Sequence, residues 1–527
     1  MPHSPGPAAV VISSARRYAR TPRAAGSAFL SMSLRSGARP CGNQERGQAL
    51  VYGLFFLIAG LGALFFMFNV GQVVSEKTKL VNTADAVAYS AGVLHARALN
   101  FDAYTNRALI ANEVLVAQMV SLSSWAKHQA KHVDGANAIF PACTTLEGAA
   151  AGILFFYDAL YAPACFFAAT GGDMIKKVGE TASALTEVVL TGVEANKKAI
   201  QAAQSVLHAP GVLEATRASL MQEVADANYA GDGSVSVDPA NALVVSTMND
   251  DWRTFTHRYT GAERSRLKDV VVAAAHSDPF TRSRSWDSTA LLPSCLFNHN
   301  VVRRRGGTDM VGLDEWKAED TVSLHRKRWR RFRCRNTEMP FGYGEQEAHP
   351  DDLNQDDSGA YLGGSPATNR RAHAQATQNS SASWTGYSGL PNFYDLSPAW
   401  LKHADPDVAA DPRLKFGVRV VREASQLKTS DARSQVGTSS GSRINNYPTT
   451  LGDNRMAAVS TVEVFFERPF SQSSNAYGAR QSPPQPRELA SLFNPYWQVR
   501  LVSAPADIAS QQLRQGAGIP LSSARQP

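Results

Sequence analysis

The hydrophobic pattern divides the chain into an apolar stretch, a region of helical periodicity and a longer region of strand-like segments. No charged residue occurs from Ala49 to Val74, and about 20 apolar residues suffice for a helix to cross a bilayer. The stretch is longer than the apolar part of a secretion signal, and no small-residue cleavage site follows it. It therefore predicts a transmembrane helix, and a buried helix of a soluble domain is the alternative.

Residues 75–230 have the periodicity of helices that follow the membrane segment. Residues 75–132 contain no proline, and their apolar positions recur at intervals of three and four. Residues 173–208 carry a heptad-like stripe, which fits either a coiled coil or an intramolecular bundle. The apolar run 149–172 is interrupted by Asp158 and Pro163, which favours a buried or interfacial helix. A second span there would return the C-terminal region to the cytosol.

Strand-like segments and turn residues dominate the rest of the chain. Residues 231–350 and 384–505 are predicted to contain β-structure, with strands indicated at 414–423 and 457–470. Residues 351–383 have few large apolar side chains and are predicted to be a disordered linker, and residues 506–527 a loose tail. The fold class expected is α+β, with a single N-terminal transmembrane helix, a helical stalk or bundle and a β-containing extracytoplasmic region.

Charge sets the expected orientation of the membrane helix. The net charge of the 527 residues is +7 at pH 7, and arginines accumulate ahead of the apolar stretch: Arg16, Arg17, Arg20, Arg23, Arg35, Arg39 and Arg46. Because Lys/Arg-rich flanks stay in the cytoplasm, residues 1–48 are predicted to be a basic cytoplasmic tail and the bulk of the chain to lie outside. A transit peptide, or a true start at Met32, would fit the same residues.

The cysteines agree with an oxidising compartment for the region after the membrane helix. Of the five cysteines, Cys41 precedes the apolar stretch and the other four follow it. An even number on an oxidising side suggests disulfides. Proximity favours Cys143–Cys165 and Cys295–Cys334, although other pairings or free thiols are also compatible with the sequence.

Three short motifs suggest chemistry without the context that the chemistry needs. Ser439 is the centre of a G-x-S-x-G sequence but lies in a Ser/Thr/Gly-rich loop instead of a strand–helix elbow. Asp232 begins a D-x-S-x-S sequence like that of metal-dependent adhesion sites, but no hydrophobic strand precedes it. His128 and His132 have a chelating spacing without a third ligand. We therefore expect no catalytic residue, no metal and no cofactor, and a hydrolase using Ser439 is the least favoured function.

Residues 325–334 form the densest basic run, HRKRWRRFRC. Basic residues among aromatics are typical of nucleic-acid-binding surfaces, but outside the membrane the available anions are lipid headgroups, polysaccharides or acidic proteins. We expect no nucleic acid as a partner. The run is a candidate patch for an anionic partner, and its arginines are Arg326, Arg328, Arg330, Arg331 and Arg333.

The N-terminal block resembles the TadG-like N-terminal domain of Flp (tight adherence) pilus assembly proteins. Arg46-Gly47-Gln48-Ala49-Leu50-Val51, the apolar span and Leu80-Val81-Asn82-Thr83-Ala84-Asp85-Ala86 follow the family's order over about residues 45–90. Residues 307–312, 320–325 and 491–501 are similar to long proteobacterial members. The fifth residue after Gly47 is Tyr52 and not the Glu of cleaved pseudopilins, so we expect the membrane helix to remain.

The resemblance implies a non-enzymatic component of pilus assembly, anchored once in the inner membrane with its C-terminal bulk in the periplasm. Its partners would be the lipid bilayer and other pilus-assembly proteins or pseudopilins. Small residues allow helices to approach closely, so a candidate helix-packing surface consists of Val81, Ala84, Ala88, Ala91 and Leu94. The alternative function is a membrane-tethered adhesin or envelope-binding protein that uses the basic run.

Overall fold

The computed structural model describes most of the chain after the N-terminal tail. The described residues are 48–139, 188–238, 252–290, 299–330, 333–351, 365–378, 383–423, 455–468 and 488–503, with 177, 181, 294, 295, 426 and 427. The longer helices are α1 (Gln48–Ile139), α2 (188–207), α3 (Val212–Asn228), α4 (Ser265–Ala275) and α5 (Arg370–Gln378). The chain forms two compact units, Met1–Leu64 and Phe65–Pro527.

Ten strands form three antiparallel sheets in the part of the chain that the structure describes. They are β1 (Ser236–Asp238), β2 (Thr256–Tyr259), β3 (Trp286–Ala290), β4 (Asn300–Val311), β5 (Glu315–Arg330), β6 (Arg333–Ala348), β7 (Phe393–Leu396), β8 (Leu414–Glu423), β9 (Arg455–Phe466) and β10 (Trp497–Val502). Sheet I has the order β1-β8-β9-β10, sheet II is β2-β7, and sheet III is the meander β3-β4-β5-β6. Gly312, with φ of 61°, supplies the left-handed turn between β4 and β5.

Within the second unit, α1 contacts all three sheets in succession. Residues between Leu80 and Leu99 join strands of sheet I in one buried apolar cluster. Asn106 then donates a hydrogen bond to the carbonyl of Tyr394 in β7, at 2.8 Å. Further along, Ser124 donates to the Asp320 carboxylate of β5, at 3.0 Å. Helix α1 is therefore the common core element of sheets I, II and III.

The fold is α+β, as the sequence indicates, but the helical region is not a separate stalk. Ala84, Ala88, Leu99 and Val120 are completely buried, because strands from the C-terminal half of the chain cover α1. Each buried leucine or valine contributes about 1.5–3 kcal/mol through removal of apolar surface from water. The helical and β-containing segments predicted as successive regions therefore share their cores.

The expected linker at 351–383 is wrong for residues 365–378, which include α5. Ala372 and Ala376 are buried, and the Glu338 side chain accepts hydrogen bonds from the backbone amides of Arg371 and Ala372 at 2.9 and 3.0 Å. Small buried side chains, and capping of the first turn of α5 by the sequence-distant Glu338, thus stabilise this segment without the large apolar residues whose absence suggested disorder. Helix α4 likewise lies in a region for which the sequence suggested only strands.

Candidate functional site

The apolar stretch remains uncovered in the first unit. Its side chains are exposed on every side of α1, from Leu50 at 73% to Leu64 at 65%. A helix that is apolar all round requires an apolar environment. Among the described helices, α1 alone has the length and composition to cross a membrane, within Ala49–His132. This surface is the candidate membrane-contacting part of the protein.

The predicted helix-packing surface faces a sheet of the same chain. Ala84, Ala88 and Ala91 are fully buried in the cluster with sheet I, whereas Leu94 is half-buried and Val81 is 38% exposed. The approach is closest beside the stripe at Gly92, where a Cβ would lie 2.6 Å from Cγ2 of Val462. The expectation of a stripe available to another protein is therefore corrected: small residues are needed here because β9 and β10 pack against α1.

The described residues of the basic run lie at the ends of β5 and β6, where the two strands pair. We call residues 326–330 of β5 and 333–337 of β6 the basic ribbon. Strand β4 pairs with β5 only as far as His325, so the ribbon extends beyond the sheet as two strands. The register places Arg328 opposite Arg335 and Arg330 opposite Arg333. Arg331 lies outside the described residues.

Among the described residues, no acidic side chain pairs with the exposed arginines of the basic ribbon. Arg328, Arg333 and Arg335 are exposed, and Trp329 is 59% exposed. No ion pair joins these three arginines to another described residue. Arg326 is half-buried. Because directly opposed residues of a ladder have Cβ atoms about 5 Å apart, Arg328 and Arg335 concentrate positive charge on one face.

A disulfide secures the basic ribbon to the preceding segment. Cys295 and Cys334 are bonded, with their Cα atoms 6.1 Å apart. The Cys295 amide also donates to the Lys327 carbonyl at 3.3 Å. The Asn300 side chain accepts from the Lys327 amide at 2.8 Å. The disulfide therefore holds the β6 strand of the ribbon at Cys334, and the two hydrogen bonds hold the β5 strand at Lys327. Cys143 and Cys165 lie outside the described residues.

Buried ion pairs connect α1 to distant segments, and the sequence analysis did not identify them. Lys197 of α2 lies 2.8 Å from the carboxylates of both Glu113 and Glu194. The Tyr387 hydroxyl donates to Glu113 at 2.6 Å, and burial raises the pKa of Tyr387 well above its usual value. The sequence signal for this network was the charged residue Glu113 on an otherwise apolar face of the helix. A buried charged network of this kind helps to fix the docking of α2 on α1.

A second buried network lies between α5 and sheet III. Lys317 is 3.0 Å from Glu345, and it also pairs with Glu347. Burial raises the pKa of Glu345 to about 7, against the opposing effect of Lys317. His373 of α5 hydrogen-bonds Glu319 at 2.9 Å, which raises the pKa of His373. The His373–Glu319 contact anchors α5 to the sheet, whereas the Lys317 pairs join β5 to β6.

The motifs that suggested metal or catalytic chemistry either make contacts within the fold or lie outside the described residues. The His128 and His132 rings stack with centroids 5.8 Å apart, and burial lowers the pKa of both. Asp232 forms an ion pair with Lys79. No group of three or more metal-ligating side chains occurs in the described parts of the chain. Ser439 lies outside them.

Residues 47–98 match the Flp pilus-assembly TadE/G-like family. This segment contains the exposed apolar stretch and the part of α1 that packs on sheet I. No curated protein matches the chain, and no solved structure matches it. The chain thus carries a TadG-like N-terminal domain, which associates it with Flp/Tad pilus assembly.

Proposed function

We propose that this protein is a non-enzymatic component of Flp pilus assembly, anchored once in the inner membrane and acting by protein–protein contact in the periplasm. The observation that carries the proposal is the match of residues 47–98 to the pilus-assembly family. The matched segment combines an exposed apolar helix with the beginning of a folded core. A membrane-proximal scaffold requires this combination.

The proposed orientation is supported by charge and by the disulfide. The arginines that precede Ala49 favour a cytoplasmic N-terminus. The bond between Cys295 and Cys334 is of a kind that persists in oxidising compartments such as the periplasm. Both observations support a cytoplasmic tail and a periplasmic location for the second unit.

A gene deletion with two forms of complementation tests the proposal. Surface pili are counted by electron microscopy in the deletion strain, with the full chain, and with a chain in which a cleavable secretion signal replaces residues 1–64. That replacement keeps the second unit, Phe65–Pro527, whole. We expect pili to be lost on deletion and restored only by the anchored chain. Normal pilus numbers in the deletion strain would refute the role in assembly.

The second candidate function is envelope binding through the basic ribbon, as a tethered adhesin. The exposure of Arg328, Arg333 and Arg335 favours it. The same deletion strain distinguishes the two functions. An adhesin would be dispensable for pilus formation, and its loss would lower attachment of the cells without changing pilus number.

A further inference from the structure

We infer that the basic ribbon is a preformed docking edge for an acidic surface of a partner protein. The inference rests on the proposed function, since it specifies one protein–protein contact. The juxtaposition that carries it is the pairing of Arg328 with Arg335 across the two strands, beside exposed Arg333. No aspartate or glutamate occurs between Arg326 and Thr337, so the ribbon cannot neutralise itself.

The charge of the ribbon opposes its own folding. Like charges directly opposite in a ladder are destabilising, and a two-stranded ribbon is marginally stable without other support. The support comes from the Cys295–Cys334 disulfide and the Asn300 hydrogen bond to Lys327. The fold thus holds two arginines directly opposite each other, and an anionic partner would reduce the electrostatic repulsion between them.

Within the second unit, the ribbon lies far along α1 from Val74, which argues against the anchoring membrane as that partner. Glu113 of α1 contacts Trp316 of β5, and Ser124 contacts Asp320, so β5 runs along α1 toward its C-terminal end. From Val74 to Ser124 the helix is about 75 Å long at 1.5 Å per residue. The ribbon begins beyond Asp320, farther still from Val74 within the second unit. This distance greatly exceeds the ~8 Å Debye length at physiological ionic strength.

The side chains of the ribbon favour a protein over a polysaccharide. Arginine forks bind carboxylates in a bidentate manner, and Arg and Trp dominate the energetics of protein interfaces. Trp329 is the large exposed apolar side chain of the ribbon. Because the disulfide and the hydrogen bonds to Lys327 hold the two strands in place, the ribbon loses little conformational entropy when a partner binds.

Binding of the full chain to poly-L-glutamate tests the inference directly. The chain is placed in nanodiscs of neutral phosphatidylcholine, and fluorescence anisotropy of labelled poly-L-glutamate gives the affinity at several salt concentrations. The test variant is Arg328→Ser/Arg335→Ser. Its control, Arg97→Ser/Arg282→Ser, removes the same charge from exposed positions of α1 and of the loop before β3. Sodium alginate and vesicles of phosphatidylglycerol are the competing probes.

We expect the ribbon variant to bind poly-L-glutamate about tenfold more weakly than the parent chain, and the control to bind about as tightly as the parent. Cys295→Ser should also weaken binding, since β6 then loses its disulfide bond to the segment before β4. Equal affinities of the two arginine variants would overturn the inference, as would tighter binding to alginate or to the vesicles. A negative result in the binding assay would not change the outcome expected of the complementation experiment. The inference about the ribbon and the proposed function can therefore be refuted independently.

Discussion

Gly344 of β6 provides the most direct test of how α1 is held against sheet III. A Cβ at this position would overlap the Ser124 carbonyl oxygen and the His128 amide nitrogen, and would lie 3.0 Å from Cβ of Lys127. The overlapping atoms belong to the helix backbone, which cannot move aside as a flexible side chain would. The perturbation is therefore Gly344→Ala, the smallest change that places an atom in this contact.

The cost of Gly344→Ala follows from the separation that the new atom forces. Carbon atoms pack at about 3.5–4.0 Å, so the strand and the helix must separate by roughly 1 Å. Overpacking costs about 1–3 kcal/mol. The Ser124 hydrogen bond to Asp320, now 3.0 Å, would break at that separation and cost about 1.5–3 kcal/mol more. Restricting the unfolded chain returns about 0.4–1 kcal/mol, which leaves a net loss of about 2–5 kcal/mol.

Thermal unfolding in detergent, followed by circular dichroism, measures this loss. We expect Tm to fall by about 4–10 °C, from about 2 °C per kcal/mol for a large domain. The matched control is Gly386→Ala, because a Cβ at Gly386 has no heavy atom within 4 Å. A Tm for Gly344→Ala within a degree of that of Gly386→Ala would refute the close helix–sheet contact.

Three further predictions concern other contacts of the fold. Ala88→Leu should lower the free energy of unfolding by about 1–3 kcal/mol, because Ala88 is buried under sheet I; unchanged denaturant midpoints would contradict this. Cys295→Ser should remove up to about 4 kcal/mol, given the sequence separation of 39 residues to Cys334, and reducing agent should then lower Tm by less than it does in the parent chain. Burial lowers the pKa of His128 well below 6.5, with further effects of Arg304, His132 and Arg284. The folded state therefore keeps His128 neutral, and the stability present above pH 6.5 should fall as the pH is lowered, less steeply in His128→Gln.

Sequence alone was sufficient where one pattern determines one element. The absence of proline over 75–132 indicates a helix, and α1 continues through that region to Ile139. The strand indicated at 414–423 is β8, whose residues between Phe416 and Arg422 are all buried. In both cases local propensity and burial favour the same structure.

Sequence alone was insufficient where burial depends on distant polar partners. The segment that contains α5 has the composition of a linker, yet Asn369 is buried and donates to the Arg303 carbonyl at 3.0 Å. Lys197 and Glu113 are far apart in sequence and meet only through tertiary packing. The charge of the basic run was evident, but its arrangement was not, because only the register of β5 with β6 shows that Arg328 faces Arg335.

The end of the apolar stretch does not coincide with the start of the folded unit. Val73 packs against the core cluster, and Asn69 is fully buried. Glu76 forms an ion pair with Arg422 at 3.0 Å, and the Arg422 side chain is only 1% exposed. Removing one partner of such a buried pair costs about 3–5 kcal/mol. Cutting the chain in this region would thus remove part of the core along with the membrane anchor.

Two truncated chains test this boundary. A chain beginning at Phe65 should unfold cooperatively and be monodisperse in mild detergent, since it retains the whole second unit. A chain beginning at Lys77 lacks Val73 and leaves Arg422 buried without Glu76, so it should have a Tm lower by about 5–10 °C or aggregate. Equal stability of the two chains would show that the fold begins after the apolar stretch, and α1 would then contribute to the core only from Leu80 onward.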